Sequence, residues 1–451
     1  MTLARTSIAA LTATLIYGVT CGVSTAAGES RALPIAPERL DAQITKTYPQ
    51  LDAIYKDIHS HPELGFQEFR TSALLARELR RLGFKVTEKV GGTGVVALYE
   101  NGPGPTVMVR TELDALPMLE KTGLPYASTV TAAPWEGTTS PVMHACGHDI
   151  HMAAWVGAAQ ALVALKDTWS GTLMFVGQPS EETVSGAKAM LADGIFTRFR
   201  KPDFGFALHD SNAPAGLVML KLSGTSSSAV DNLEITFKGR GGHGSNPSVT
   251  IDPIVIASHF VSDVQTIVSR EKEAGTFGVI TVGAFQAGTV GNIIPDQAVL
   301  KLTLRSHSAA VRTLLLEGVK RTAAATAAMA NAPAPEVKVL SGTGSMANDD
   351  ALAARTAEVF KTVFGDKFVA MPAHAQPGSA SEDYSEFMAA GVPSAFFGIG
   401  GYDPKVIEAA KAAGTALPAN HSPFFAPTPE VTIKTGVRAM TYAVTNVMPR
   451  S

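Results

Sequence analysis

The sequence predicts an α/β protein in which a mostly parallel β-sheet is combined with an inserted, ferredoxin-like α+β domain. Segments with apolar residues at helical spacing alternate with segments rich in β-branched residues, which is typical of a parallel sheet. Between about residues 226 and 340 the order changes to strand, helix, strand, strand, helix, strand, the split unit of a ferredoxin-like domain. Polar residues follow several predicted strands, where open parallel sheets bind ligands.

The first part of the chain predicts two amphipathic helices followed by alternating strands and helices. Leu40, Ile44, Leu51 and Ile54 recur at helical spacing in the first helix. The sequence GlyProGlyPro at 102–105 predicts a turn between two strands. In chain order we expect helices at 38–60 and 68–82, strands at 85–89, 94–99 and 106–110, a helix at 151–165, a strand at 171–178, a helix at 186–193 and a strand at 204–208.

The inserted domain is predicted over residues 226–340, which leaves 28–225 and 341–451 for a discontinuous larger domain. After the insertion, the alternation of helices and strands resumes and ends near His421. The elements expected inside the insertion are a strand at 232–239, a helix at 252–270, strands at 278–286 and 297–306, a helix at 309–330 and a strand at 336–340.

Size and charge limit the classes of function. The chain has 451 residues, 45% of them hydrophobic, so it can bury a large core and form two or more domains. Its formal net charge of -3 gives no reason to expect a nucleic acid or an anionic membrane as partner.

The first 27 residues are typical of a secretory signal peptide. Arg5 gives a positive start, residues 8–23 are mostly apolar, and residues 24–27 are small enough for cleavage. A membrane anchor is the alternative, but the apolar run is short and interrupted by Thr and Gly. We therefore expect a mature protein that begins near Gly28 and is periplasmic or secreted.

The chain contains two cysteines, Cys21 and Cys146. Lipid attachment at Cys21 is disfavoured because Gly18 stands where a lipid-modification signal usually has Leu. Cleavage of the signal would leave Cys146 alone, so it cannot form a disulfide within the mature chain. It is either buried and inert or bound to a metal.

The segment 143–151, MHACGHDIH, contains a thiol, three imidazoles and a carboxylate in nine residues. Cys146 and His148 are two positions apart, so both could reach one first-row metal ion. Taken singly, each candidate is better explained as a buried cysteine or a surface histidine. The further candidate ligands, which lie at strand ends and in loops, are Glu181, Glu182, His209 and His421. Together these residues indicate a metal site.

A bridging role for Cys146 would divide the candidates between two ions. One ion would take His148 and His209, and the other Glu182 and His421. Metal ions in such a site activate a bound water molecule, and Glu181 could accept a proton from that water and pass it to a leaving amine. The neighbouring Glu182 suits Glu181 to this role, because two adjacent carboxylates raise the pKa of one of them. The alternative for the two glutamates is a solvated acidic turn.

The chain resembles the dinuclear metallo-aminoacylase and carboxypeptidase family, specifically the amidohydrolase branch that contains hippurate hydrolases and indoleacetyl-amino-acid hydrolases. The motifs that carry the resemblance are RTELDALP at 110–117, MHACGHDIH at 143–151, PSEE at 179–182, ALH at 207–209, GRGGHGSNP at 239–247, GTVGNIIPD at 288–296, SEDY at 381–384 and NHSP at 420–423. They span almost all of the mature chain.

The resemblance implies a metallopeptidase-like catalytic domain, a lid that commonly mediates dimerisation, and a set of site residues. It places two divalent ions on Cys146, His148, Glu182, His209 and His421, and the general base on Glu181. Asp114 matches the acid that orients a metal-binding histidine, and His243 a lid residue that stabilises the oxyanion, often in the partner subunit's site. Asn292 and Arg305 match groups that hold the substrate carboxylate. Without the resemblance, Arg305 could be an ordinary strand-end charge, Asn292 a turn residue and His243 a loop histidine.

Three positions depart from the usual pattern of this branch. Glu112 replaces Asp, Ser248 stands where a His commonly follows the lid Pro, and Asn420 stands where Leu is frequent. None is a proposed ligand, but Glu112 and Ser248 leave the detailed substrate preference open.

The function predicted from these residues is hydrolysis of the amide of an N-acyl or N-aroyl amino acid. A dipeptidase or carboxypeptidase with the same chemistry is the near alternative. A non-catalytic protein that binds small acids is disfavoured because Glu181 and every proposed ligand are present. Thiolate and imidazole ligands favour zinc, with manganese, cobalt and nickel as alternatives.

Overall fold

The computed structural model describes residues 33–134 and 137–450. The predicted signal peptide at 1–27, including Cys21, lies outside the described residues. Within the described ranges, no helix has both the length and the apolar character needed to cross a membrane.

Helices lie at both ends of the described part of the chain and also in its middle. Their bounds are α1 Pro37–Ser60, α2 Phe69–Arg81, α3 His148–Ala164, α4 Gly186–Ala192, α5 Ile195–Arg198, α6 Pro253–Asp263, α7 Ala309–Met329, α8 Asp350–Phe364, α9 Ser385–Ala389, α10 Pro404–Ala413 and α11 Pro429–Val447.

Strands form two large sheets and three small two-stranded pairs. Their bounds are β1 Lys85–Val90, β2 Gly94–Asn101, β3 Thr106–Glu112, β4 Thr131–Ala132, β5 Ser140–Pro141, β6 Gly171–Gln178, β7 Phe204–Pro214, β8 Val218–Lys221, β9 Thr225–Ser227, β10 Ala229–Lys238, β11 Gly242–His243, β12 Gly278–Ala287, β13 Ile293–Ile294, β14 Gln297–Ser306, β15 Glu336–Thr343, β16 Met346–Ala347, β17 Phe368–Met371 and β18 Ser394–Tyr402.

The larger sheet has eight strands in the order β1-β2-β6-β3-β7-β18-β8-β17. Its centre is parallel, since β6, β3, β7 and β18 all pair in parallel. The pairings of β1 with β2, β2 with β6 and β18 with β8 are antiparallel. The predicted class, an α/β fold with a mostly parallel sheet, is therefore confirmed.

Both faces of this sheet are covered by helices, as a parallel sheet requires. On one face, the Trp155 ring of α3 packs 5.0 Å from that of Phe175, and its indole N–H donates to the Val109 carbonyl at 2.9 Å. On the other face, Met108 and Met190 share a buried cluster. Helix α3 is buried all round because α1 and α11 also pack against it.

The smaller sheet has four antiparallel strands in the order β12-β14-β10-β15. This is the strand order of a ferredoxin-like unit, and α6 and α7 pack on it. Its buried core includes Leu233, Phe260, Leu300 and Leu315. The predicted inserted α+β fold is present, with β15 continuing to Thr343 rather than ending at 340.

Two predicted helix bounds differ from the structure by more than one residue. Helix α3 begins at His148 rather than 151, because Gly147, with a φ of 86°, forms the N-cap. A side chain at this position would lie 2.3 Å from the Asp210 carboxylate, so glycine is required there. The helix predicted at 252–270 ends at Asp263, and a π-helical turn follows at Ile267–Glu271. The β-branched residues of this stretch lower its helix propensity.

Candidate metal centre and active site

The candidate ligands meet at the carboxyl ends of the central parallel strands. Glu181 and Glu182 follow β6, and His209 lies within β7 where that strand pairs with Gly398. Cys146 precedes α3, while His421 lies in the loop before α11. The fold thus brings together residues that are far apart in the sequence, at the edge where open parallel sheets bind ligands.

Cys146, His148 and His209 form the first of two ligand groups. One donor atom from each lies within 4.8 Å of the others, and the Cys146 Sγ is 3.4 Å from the His209 Nε2. The opposite ring nitrogens are held by the backbone: His148 Nδ1 donates to the Asp114 carbonyl at 2.8 Å, and His209 Nδ1 to the Asp210 carbonyl at 2.7 Å. Each ring therefore presents its Nε2 to the group, as metal-binding histidines usually do.

Cys146, Glu182 and His421 form the second group, which also fits within 4.8 Å. His421 Nε2 is 3.2 Å from the Cys146 Sγ and 3.3 Å from a Glu182 carboxylate oxygen. Cys146 is thus common to both groups. The structure has the arrangement expected for a thiolate shared by two ions.

The donor atoms of these groups fit divalent metal ions. His148 Nε2 and Glu182 Oε1 are buried without a hydrogen-bond partner among the described residues, which is unfavourable unless a ligand is bound. Burial and the carboxylates of Glu182 and Glu181 raise the pKa of the Cys146 thiol, so a thiolate needs nearby positive charge. Burial also lowers the pKa of His209 to about 4, which keeps its imidazole neutral, as a metal ligand must be.

The other two histidines of the 143–151 segment are not part of these groups. Both ring nitrogens of His151 already have partners, since Nδ1 is 3.0 Å from Glu112 and Nε2 accepts the Asp210 backbone N–H at 2.8 Å. The His144 ring is buried without a hydrogen-bond partner in the described part of the chain, and burial lowers its pKa to about 4. His144 is therefore a neutral core residue.

Asp114 acts on two ligands at once. Its backbone carbonyl orients His148, and its carboxylate accepts the Glu182 backbone N–H at 2.9 Å. The carboxylate is 3.5 Å from the His148 ring, so its main hydrogen bond goes to the glutamate segment. Asp114 therefore lies where the resemblance places it, but it contacts His148 mainly through its backbone.

Glu181 lies beside the ligand groups, 3.9 Å from His148 Nε2, and faces the same cavity. Burial and the carboxylates of Glu382 and Glu182 raise its pKa well above the usual range, so that it accepts a proton readily. The backbone of the preceding Ser180 has a positive φ of 51°, and its N–H donates to the Glu68 carboxylate at 2.8 Å. The buried Glu68 thus fixes the turn that presents Glu181.

A buried network of charged residues around Arg110 acts electrostatically on Glu181. Arg110 is fully buried and contacts Glu112, Gln178 at 2.9 Å, Glu382 at 2.7 Å and Asp383 at 3.4 Å. This network joins the RTELDALP and SEDY motifs. Because the Arg110 guanidinium holds these acids in place, their charges produce a fixed electrostatic field at Glu181.

The three unusual residues occupy different surroundings. Glu112 is fully buried between Arg110 and His151 and does not face the cavity. Ser248 is exposed and donates to the Asn246 side chain at 3.1 Å. Asn420 donates to the Cys146 carbonyl at 3.0 Å and lies 3.3 Å from the Asp210 carboxylate, so it ties together the segments that carry Cys146, His209 and His421.

The lid residues divide between the cavity and the surface. Arg305 faces the same cavity as Cys146, Glu181 and Glu182, and this cavity has a volume of about 910 Å³. His243 in β11 and Asn292, which directly precedes β13, are exposed and are not among the residues that line it. The structure therefore brings Arg305, but not His243 or Asn292, to the metal centre of the same chain.

Sequence reasoning missed the residues that support the site from behind. Arg110 and Glu382 lie in the RTELDALP and SEDY motifs, and Glu68 begins the predicted second helix, but their contacts depend on the tertiary fold. Arg110 and Glu112 have one sequence signal, which is charge at the end of an otherwise apolar strand, whereas Glu382 and Asp383 lie in a loop and have none.

Comparison with known proteins agrees with this geometry. The sequence model of peptidase family M20/M25/M40 matches residues 108–445. A hippurate hydrolase from Campylobacter jejuni is 35% identical over 357 residues, covering 78% of this chain and 87% of the relative. An N-acetyl-L-cysteine deacetylase from Bacillus subtilis is 33% identical over 378 residues, covering 82% of this chain and 85% of the relative.

A solved structure has the same fold. The YXEP protein of Bacillus subtilis, a dinuclear metal-binding peptidase of the M20 family, superposes with a TM-score of 0.67 at 28% identity, covering 90% of this chain and 98% of that one. The family match spans most of the chain, and the two ligand groups have the donors of a dinuclear centre. This chain belongs to peptidase family M20/M25/M40 and is a metal-dependent hydrolase with a site for two metal ions.

Proposed function

We propose that this protein hydrolyses the amide bond of N-acyl or N-aroyl amino acids, releasing a carboxylic acid and a free amino acid. The observation that carries the proposal is the position of Glu181, which lines one cavity together with Arg305 and with four of the five candidate ligands, Cys146, Glu182, His209 and His421. The names of the relatives, a hippurate hydrolase and an N-acetyl-L-cysteine deacetylase, support this class of substrate.

The residues of the chain divide the steps of hydrolysis among them. Cys146, His148, Glu182, His209 and His421 hold the ions, which when bound lower the pKa of water and polarise a carbonyl. Glu181 accepts the proton of the attacking water and delivers it to the leaving nitrogen. Arg305 binds the carboxylate of the amino acid, for which a forked guanidinium is suited.

The walls of the cavity favour an acyl amino acid over a dipeptide. Met219, Met346, Phe277 and Phe396 line the cavity and offer an apolar surface to an acyl or aroyl group. A dipeptide would place an α-ammonium there and would require a free acid. Glu382 faces the cavity, but its oxygens already accept hydrogen bonds from Arg110 and the Tyr384 N–H, so it is not free to bind an amine.

Hydrolysis of a defined panel tests the proposal. We expect purified mature protein to release amine from N-acetyl, N-benzoyl or N-lauroyl amino acids faster than from dipeptides, with activity abolished by chelation and restored by divalent ions. Bound metal should be quantified in the same sample. Preference for dipeptides would favour the carboxypeptidase alternative, and metal-loaded protein that is inactive on the whole panel would refute hydrolysis of this class.

We also propose zinc as the ion, a homodimer through the lid, and a periplasmic or secreted location. Cysteine and histidine ligands support zinc over manganese, cobalt or nickel. The predicted signal at 1–27 supports the location. The exposed positions of His243 and Asn292, and the exposed apolar residues Phe285 and Ile293 of the lid, support a second copy that receives these side chains.

His243 has the hydrogen-bonding state that an oxyanion requires. The Ser245 backbone N–H donates to His243 Nδ1 at 3.1 Å, so Nε2 carries the proton and can donate it to an oxygen. We expect His243→Ala to lower kcat by about 10²-fold or more, in the range of other lost oxyanion donors, while metal content is unchanged.

Complementation tests whether His243 acts in the partner's site. Co-expression of His243→Ala and Glu181→Gln chains with different tags should give a heterodimer in which one site has both residues intact. The purified heterodimer should be far more active than either homodimeric variant. A heterodimer no more active than its parents would show that His243 does not act across a dimer.

A further inference from the structure

We infer that the cavity selects substrates with a second carboxylate, besides the α-carboxylate of the amino acid, and that Lys221 binds it. The inference rests on the proposed function and deepens it by naming a substrate class. The second carboxylate belongs either to the side chain of the amino acid or to the acyl group, and the experiment below distinguishes these two sources.

Lys221 is a buried cation that faces the cavity. Its residue exposure is 4%, yet it is one of the residues that line the cavity beside the metal centre. Its ammonium donates a hydrogen bond to the Ala375 carbonyl, and no carboxylate of the described ranges forms an ion pair with it. Since an ammonium has three donors and buried charges are normally paired, this group is left for an anionic ligand.

The position of Lys221 is fixed by the sheet. It is the last residue of β8, where it lies opposite Met371 of β17. The Asn348 amide donates to the Lys221 carbonyl at 2.9 Å and to the Phe396 carbonyl at 3.0 Å, which holds β8 against β18. The backbone that carries the Lys221 side chain is therefore held in a fixed position, which favours specific binding by that side chain.

The cavity already contains a cation for the first carboxylate. Arg305 donates to the Ser381 hydroxyl at 2.6 Å and is likewise without a carboxylate partner among the described residues. Three acids line the cavity, and none pairs with Lys221: Glu181 lies beside His148, Glu182 pairs with His421, and Glu382 pairs with Arg110. One carboxylate requires only Arg305, so an additional buried ammonium facing the same space indicates an additional anion.

Kinetics on matched substrates test the inference. N-benzoyl-L-glutamate carries the second carboxylate on the amino acid, N-succinyl-glycine carries it on the acyl group, and N-benzoylglycine has neither. We expect one of the two dicarboxylates to exceed N-benzoylglycine, which carries only the α-carboxylate, in kcat/KM by about 10- to 100-fold, as for a hydrogen bond to a charged group. Lys221→Met should reduce that ratio towards one, mainly through KM, and Lys221→Arg should restore part of it.

The outcomes separate this inference from the proposed function. Lys405→Met, which changes an exposed lysine on α10, serves as the matched control and should keep the wild-type ratio. Equal loss on all three substrates in Lys221→Met would show that Lys221 only holds the 372–380 loop, and would overturn the inference. Hydrolysis without any preference for a dicarboxylate would also overturn it while leaving the proposed function intact. If no substrate is hydrolysed, the proposed function fails, and the carboxylate site is then tested by the melting temperature in the presence of glutarate or butyrate. Only a stabilisation by glutarate that is lost in Lys221→Met supports the site.

Discussion

Glu181→Gln is expected to remove nearly all turnover while the protein keeps its metal. The amide has the size of the carboxylate but cannot accept the proton of water, so kcat should fall by about 10²- to 10⁴-fold, the usual contribution of general acid–base catalysis. Because Glu181 is 3.9 Å from the nearest ligand nitrogen and belongs to neither group built around Cys146, metal content should not change. Steady-state kinetics and metal analysis on the same preparation measure both quantities.

The same measurements on Glu408→Gln provide a control, because Glu408 is an exposed acid on α10 that does not line the cavity. This variant should have wild-type kinetics. If Glu181→Gln kept normal turnover, another group would have to be the base. Loss of metal from Glu181→Gln would instead mean that Glu181 is a ligand. This is the main alternative, because His148, Glu181 and Glu182 also lie close enough together to hold a metal ion.

The parts of the fold that could be predicted from the sequence are those with strong local patterns. The strands at 171–178 and 297–306 have the predicted bounds, because runs of apolar and β-branched residues end abruptly at polar or loop residues. The βαββαβ order of the inserted domain and the family were also predicted and are confirmed. In contrast, the start of α3 depends on a left-handed Gly147 that periodicity does not reveal.

The candidate ligands that the structure brings together could be named from the sequence, but the contacts that support them could not. Cys146, the three histidines and Glu182 could be named because their donor chemistry is rare and concentrated at strand ends. Glu68, Arg110 and Lys221 are ordinary charged residues in the sequence, and only the tertiary fold makes them buried. His243 and Asn292 do not line the cavity that contains the metal centre of the same chain, and local sequence patterns cannot show where a lid residue lies relative to that centre.

Cys146→Ala is expected to empty the whole metal centre, whereas Glu182→Gln should empty part of it. Cys146 belongs to both ligand groups, because its Sγ is 3.4 Å from His209 Nε2 and 3.2 Å from His421 Nε2. Removal of the sulfur would therefore take one donor from each ion. Glu182 belongs with His421 to the second of these groups, so Glu182→Gln should keep about one ion per chain.

Metal analysis after dialysis distinguishes these results, and circular dichroism establishes that each variant is folded. Thermal unfolding adds an independent readout, because ions that bind the folded chain raise its melting temperature and Cys146→Ala should lose that metal-dependent increase entirely. Two ions retained by folded Cys146→Ala would show that the thiol is not a ligand. Cys146 would then be a neutral cysteine buried among acids. The other four candidate ligands would have to be assigned to the two ions without a shared sulfur.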